Sequence, residues 1–430
     1  MEVQRQGLIK SAFDRLFIYR KKGAWEVKRR CSDYLFLWNN GHPKETDLRL
    51  RVIEADYRYD PRWLEFCSAH PDGRIFHNPG WLNALESEYG QKCIALACED
   101  AYENFHGILP LFRTRGFPLN MGTHRLGKRL SSLPRTPLGG PLTISNVATT
   151  LLIGAALERL SMSSESQLEI KSYDESLARV VEELRPVPWR KSYVLRLRRE
   201  SEGDAIHCNA TDLEYSVRSG LRFGNSRNHL SIKCSVNKAM KVGVVAEIAA
   251  SDNDLRQWYR LYLENMRDAF VPARPYRFFA TLRNNLQHSG AFQLWSARLG
   301  SEGEMIAGVI VLMHGRSAVF AFAGANRTEL WRNPYDLLHW SAIHEAWKDG
   351  YTYYDFGEVA DNDKGLRHYK RKWGAEEIQM YRYYYPAWKR SEGMDIGYVR
   401  GVINRATRTV WRSVPLLVTS KVGDWIYNFL

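Results

Sequence analysis

The chain has 430 residues, 44% hydrophobic and 25% charged, with no low-complexity tract; this exceeds one ordinary core and predicts two domains. Against 48 Asp and Glu stand 61 Lys and Arg, a net charge of +13, which favours anionic partners such as nucleic acid, phosphate-bearing ligands or an anionic membrane face. No run of about eighteen apolar residues is present, which excludes a bilayer-spanning helix. The basic N-terminus lacks the apolar stretch of a secretory signal, and the six cysteines are scattered without a CxxC pair, so reduced thiols and a cytoplasmic location are expected.

Residues 1–45 are basic and aromatic and read as an extension packed on the body as a surface helix. A first α/β unit is expected over 46–200. RVIEADY alternates like a strand and RWLEFCSAH reads as helix. HNPGWLNALESEYG is a second helix, with Asn78 as N-cap and Pro79 at its first position. CIALACED and FHGILPLFRTRG follow as strands and NVATTLLIGAALERLSM as a long helix; Pro186 and Pro188 break the chain before the strand YVLRLR.

The second unit, 201–390, repeats this grammar. KVGVVAEIA is a strand, DNDLRQWYRLYLENMRDAF a helix capped by Asp252 or Asn253, and PYRFFATLRNNLQHSG a helix ending at Gly290. FQLWSARLG and EMIAGVIVLMHG form a hairpin, SAVFAFAGA adds a strand, YDLLHWSAIHEAWKDG is an amphipathic helix and YTYYDFG the next strand. Two units of the same element order imply an internal duplication. Residues 391–430 interleave Arg400, Arg405, Arg408, Arg412 and Lys421 with large apolar residues, which fits either a basic amphipathic tail on a membrane surface or helices docked on the body.

The segment Gly350 to Tyr385 carries the most chemistry. A strand ends in Asp355-Phe356-Gly357, an acidic loop follows, and a short helix brings His368, Tyr369, Lys370 and Lys372 before Trp373-Gly374. Asp-Phe-Gly also occurs in protein kinases, but no glycine-rich loop or HRD-type loop accompanies it. His344-Glu345 lacks the second histidine of a zinc-protease helix, since position 348 is Lys. Walker, Rossmann and GxSxG signatures are missing too, which removes support for ATP hydrolysis, hydride transfer and serine hydrolysis.

The ordered pieces KCSVNKAMKVGVVAEI, YRLYLENMRDAFVPARPYRFF, AGVIVLMHGRSAVFAFAGAN, NPYDLLHWSAIHEAWKDGYTYYDFG and GLRHYKRKWGA resemble the FemA/FemB aminoacyltransferases and their FemAB-like and CelD-like relatives in the GNAT acyltransferase superfamily. Weaker echoes, FHNPGWLNAL, GILPLF and SLPRTPLGGPL, extend the likeness to residues 48–388. The resemblance implies an α/β (α+β) fold of two tandem GNAT-like domains, with mixed sheets flanked by helices. It further implies N-acyl or aminoacyl transfer to an amino group of a cell-envelope precursor, of peptidoglycan or exopolysaccharide, at the inner face of the membrane. It places Lys370 at the family's aromatic-Lys step, to hold a phosphate or polarise the acyl carbonyl. Asp355 is expected to orient the acceptor or act as base; its alternative is a strand-end carboxylate capping the Gly357 turn. Glu358 stands where many relatives have arginine, which makes it a base candidate instead. Arg267, Tyr335, Arg367, Tyr369, Lys372 and Trp373 complete the expected substrate-binding set; no metal or tightly bound cofactor is expected.

The donor is either an aminoacyl-tRNA or an acyl-CoA. The segment GANRTELWRNPYDLLHW has no glycine after Gly324, unlike the Gly-rich loop that brings CoA pyrophosphate to a helix N-terminus. An acyl-CoA enzyme acting on an amino sugar and a non-catalytic scaffold are the alternative readings.

Overall fold

The computed structural model describes residues 18–21, 24–27, 50–114, 128–181, 184–197, 221–386 and 415–427. Of the N-terminal extension, two short strands are described, β1 (Ile18–Lys21) and β2 (Ala24–Val27), rather than the expected helix. The first half then runs β3 (Arg51–Glu54), α1 (Pro61–Ala69), α2 (Pro79–Tyr89), β4 (Ile94–Glu99), β5 (Phe105–Thr114), β6 (Arg129–Ser131), β7 (Leu142–Thr143), α3 (Asn146–Ser161), β8 (Gln167–Ser172), α4 (Leu177–Val180) and β9 (Arg185–Arg196). The second runs α5 (Ser226–Lys241), β10 (Val244–Ala249), α6 (Asp252–Ala269), α7 (Tyr276–Leu286), β11 (Phe292–Leu299), β12 (Met305–His314), β13 (Ser317–Ala325), α8 (Pro334–Lys348), β14 (Tyr353–Val359), α9 (Lys364–Lys372) and β15 (Glu376–Tyr385). A final helix, α10 (Leu416–Tyr427), follows.

Local chemistry sets the helix starts. Asn78 Oδ1 accepts from Gly80 N (2.8 Å) with Pro79 at the first position, as the sequence predicts. α6 is capped by Ser251, not by Asp252 or Asn253: Ser251 and Asp254 form a capping box, because a hydroxyl before the helix and a carboxylate three residues on satisfy two orphan amides at once. Pro186 and Pro188 lie inside β9 rather than before it. There β9 pairs with β15 alone, since it meets β14 only from Lys191 onward, and a strand with one open side is where proline is tolerated.

All the described strands join one continuous sheet, in the order β1-β2-β3-β4-β5-β6-β8-β15-β9-β14-β13-β12-β11-β10, with β7 beside β5. The order reads alike from both ends. Each half has one parallel pair, β6 with β8 and β13 with β14, and the remaining pairs are antiparallel. The centre is made by exchange: β9, which closes the first half, lies against β14 of the second, and β15, which closes the second, lies against β8 of the first. β9 and β15 pair with each other from Glu376↔Val194 to Tyr384↔Arg185.

Three cores follow. One lies between the halves, where α1, α2, α6 and α7 meet around Trp63, Trp81, Trp258, Phe278 and Phe279. The others lie on the opposite face, under α5 and α8 in the second half and under α3 in the first. Two ion pairs on buried carboxylates bridge the halves: Arg274 binds Glu88 of α2 while donating to the Arg135 carbonyl (2.6 Å), and the partly buried Arg382 of β15 donates to Glu169 of β8 (3.1 Å). Of the tail, 391–414 lies outside the described residues; α10 docks on α6, with Thr419 buried and Ser420 Oγ 3.2 Å from Tyr259 Oη. Among the described residues no helix is long and apolar enough to cross a membrane.

A fragment of residues 221–386 lacks β8 and β9, which opens one side of β14 and leaves β15 without a strand neighbour. It is expected to aggregate on size-exclusion chromatography and to become monodisperse when a peptide of residues 167–197, carrying both strands, is added. A monodisperse, cooperatively folding fragment without the peptide would contradict the exchange.

Candidate active site

The second half contains an opening in its sheet. β13 and β14 pair in parallel over only three positions, Ser317↔Tyr353, Ala318↔Tyr354 and Val319↔Asp355, and then separate. Ala321 is an extra residue in β13, between Val311↔Phe320 and Ile310↔Phe322, and such a bulge bends the strand away from its neighbour. On the other side, β14 shifts register against β9 between Asp355 and Glu358. Gly357 occupies that kink at φ 74°, a conformation in which a side chain is strained, and the nearest atom to a Cβ built there is the Phe320 carbonyl at 3.6 Å.

The kink is held from both faces. Below it, Asp355 is buried; its Oδ1 accepts from Ser192 Oγ (2.8 Å) and Gly357 N (2.7 Å), and Oδ2 lies 3.4 Å from Tyr173 Oη. Asp355 therefore caps the Gly357 turn. Above it, α9 starts on Asp363, which accepts from Leu366 N (3.0 Å), and projects Lys370 inward. Lys370 Nζ donates to the carbonyls of Phe356 (2.5 Å), Gly357 (2.9 Å) and Glu358 (3.2 Å). Burial pushes its ammonium down to about 8, against the attraction of Asp355, Glu358 and Asp363. All three protons of the cation are committed, so Lys370 acts as a fixed positive charge that shapes the turn.

Glu358 lies at the rim, partly exposed, with Oε1 2.7 Å from Arg190 of β9. The rest of the predicted set divides. Tyr335 is in the first turn of α8, and Lys372, the last residue of α9, brings its Nζ to 3.3 Å from the buried carboxylate of Asp336 in that turn. Tyr369 and Trp373 close the space between α8 and α9; burial, with Asp336 beside it, holds the Tyr369 phenol well above its usual range. Arg267 is in the last turn of α6, 3.5 Å from Asp268, which also pairs with Arg327 ahead of α8 (3.2 Å). Arg367 turns outward to the Asp361 carbonyl, holding the loop before α9 rather than facing the gap.

Sequence reasoning missed Ser192 and Tyr173, which fix Asp355 from the other half, and Asp336. A carboxylate in the first turn of YDLLHW was a readable signal; the exchange that delivers Ser192 was not. It also missed Lys171, buried beside Glu169 and Arg382, with Nζ 2.9 Å from the Leu133 carbonyl. Burial lowers the Lys171 ammonium, against the pull of Glu169.

The equivalent gap in the first half is filled by its own chain. After Ser131↔Glu169 the loop 132–140 turns in; Lys171 N donates to Ser132 Oγ (2.9 Å) and Gly139 N faces the Lys171 carbonyl (3.4 Å). A Cβ on Gly140 would stand 2.7 Å from that carbonyl, so only glycine fits. The open gap belongs to the second half.

Lys370 releases its proton near pH 8 in the folded chain but near 10.4 when unfolded, so unfolding takes up a proton between these values and the group adds stability as pH rises. The Tm difference between wild type and Lys370→Met is expected to widen from pH 8 to pH 10 in calorimetry; a narrowing gap would contradict the burial of a charged Lys370.

Residues 226–371 match the acetyltransferase (GNAT) domain family. Among solved structures, the chain is similar to FemX, with 13% identity, a TM-score of 0.57, and coverage of 82% of this chain and 100% of FemX. It is also similar to the C-terminal domain (DUF2156) of a putative lysylphosphatidylglycerol synthetase from Agrobacterium fabrum, with 9% identity, a TM-score of 0.50, and coverage of 80% and 95%. Among curated proteins, none matches the sequence. At such identities the structures establish the fold alone: the chain has a FemX-like fold, and its residues 226–371 are similar to the acetyltransferase (GNAT) domain.

Proposed function

We propose that the protein transfers an acyl or aminoacyl group to an amine on a cell-envelope precursor, of peptidoglycan or a surface glycan, at the gap between β13 and β14. The observation that carries this reading is the Lys370-held turn opposite the bulged β13, inside the segment that matches the acyltransferase domain.

The amine nitrogen attacks the donor's carbonyl carbon. The C–N bond forms as the ester or thioester bond to the carrier breaks, and one amine proton leaves for the carrier's oxygen or sulfur. Lys370 supplies fixed positive charge near the developing oxyanion, and its rigidity supplies orientation. Glu358, partly exposed at the rim, is the better candidate to take the amine proton, because Asp355 is buried and already bonded to Ser192 and Gly357. Asp355 is a positioning residue. Arg267 of α6 and Tyr335 of α8 are proposed to bind substrate. The donor is an aminoacyl-tRNA or an acyl-CoA, and the basic tail is proposed to hold the enzyme at the inner face of the membrane.

Mass spectrometry of purified protein with charged tRNA or acetyl-CoA, and with amine-bearing precursors as acceptors, tests the reading. Lys370→Met is expected to lower the transfer rate by about a hundredfold or more, and Glu358→Gln by about a hundredfold. Asp355→Asn should act mainly through stability. Full activity with Lys370 and Glu358 both replaced would overturn the assignment of these residues, and no transfer by the wild type with either donor would favour a scaffold.

A further inference from the structure

The repeated element order places two carboxylates at matching points of the fold. Asp355 ends the three parallel pairs of β13 with β14, and Glu169 ends those of β6 with β8, from Arg129↔Gln167 to Ser131↔Glu169. Both point to the face where the halves meet. Asp355 alternates with Tyr354 and Phe356 of the core under α5 and α8, and Glu169 with Leu168 and Ile170 of the core under α3. Their partners differ. Asp355 meets two hydroxyls and an amide, whereas Glu169 has Arg382 Nη1 at 3.1 Å, Arg129 Nη1 at 4.0 Å and the buried Lys171 ammonium beside it. Three cations thus face one carboxylate. They also adjoin Glu358: the Arg382 guanidinium stacks 3.5 Å from the centre of the Trp189 ring, and Arg190, 5.3 Å from the same ring, holds Glu358 at 2.7 Å. The side chain of Arg382 is 23% exposed, so solvent reaches this charge, while its half-buried setting strengthens each contact.

We infer that the first-half counterpart of the Asp355 position is an oxyanion subsite: Arg382, with Arg129 and Lys171 adding charge, takes a carboxylate or phosphate carried by the acceptor while the acceptor's amine lies at Glu358. The inference rests on the reading of Glu358 and the β13–β14 gap as the place of transfer. A guanidinium offers paired N–H donors to such a group, and the indole against Arg382 fixes the plane of that fork. Glu169 gathers the cations in the free protein and competes with the ligand for them. The span of the Trp189 stack then sets the distance between acid and amine in an acceptor that fits.

The test is calorimetric titration of the full chain with 8-aminooctanoate, 8-aminooctyl phosphate and octylamine. The first two hold amine and acid roughly 10 Å apart when extended, and the third lacks the acid. Hydrogen exchange on the same samples locates binding. Both acids are expected to bind at least about tenfold more tightly than octylamine, with protection at 167–172 and 380–384 together with 355–359; the tighter of the two identifies carboxylate or phosphate as the preferred group. Arg382→Gln should abolish the advantage of the acids. Glu169→Gln, which removes the competing carboxylate, should enlarge it about threefold or more, and a merely structural role would weaken binding in both variants. Thermal melting confirms folding; if Arg382→Gln fails to fold, Glu169→Gln and the ligand series still decide. Acids that bind no more tightly than octylamine, or not at all up to about 10 mM, would overturn the subsite. Protection of 355–359 by octylamine would then leave the transfer site standing. Acids that protect 167–172 and 380–384 but never 355–359 would overturn the placement of the amine at Glu358. A folded Glu169→Gln variant that binds the acids more weakly would overturn the competition on which the subsite depends.

Discussion

The structure depends on the pairing of β9 with β15. Each strand closes its own half in the sequence and completes the other half in space, so neither parallel pair has its full set of neighbours until both halves are present. The exchange removes two interior edges from what would otherwise be two open sheets, and fuses them into one. Hydrophobic burial between α1, α2, α6 and α7 then holds the halves face to face, with the Arg274–Glu88 and Arg382–Glu169 pairs at either side of that core.

The candidate site is a local consequence of that exchange. β14 can bend at Gly357 because β9 supports it again beyond the kink, at Ser192 and Lys191. Ser192 also reaches Asp355, and Arg190 of the same strand holds Glu358. The chemistry-bearing segment of the second half is thus fixed by a strand from the first. This also explains why similar frames have different fates: in the first half the loop 132–140, anchored by Lys171 and Ser132, occupies the gap that stays open in the second.

Much of this was legible in the sequence. Helix starts with a side-chain cap and a proline, such as Asn78-Pro79, and the repeated order of strands and helices follow from local rules that hold wherever the chain goes. The Lys370 step and the Asp355-Phe356-Gly357 turn could be singled out because their residues lie close together in sequence, and the alternative role given to Asp355, capping the turn, is the one its hydrogen bonds describe. What was not legible was long-range. The prolines at 186 and 188 look like a break until β14 is seen to leave that stretch unpaired, and Ser192 looks like any strand serine until β9 crosses to the other half. Cooperation between residues 163 positions apart leaves no periodic trace in one chain.

We propose that acyl transfer takes place in the β13–β14 gap of the second half. It is tested most directly by a crystal structure with a stable aminoacyl-nucleoside analogue whose ester is replaced by an amide. Acyl transfer there requires density for the acyl carbonyl beside the Gly357 turn that Lys370 holds. Density seated instead against the loop 132–140 of the first half, with the second-half gap empty, would contradict it.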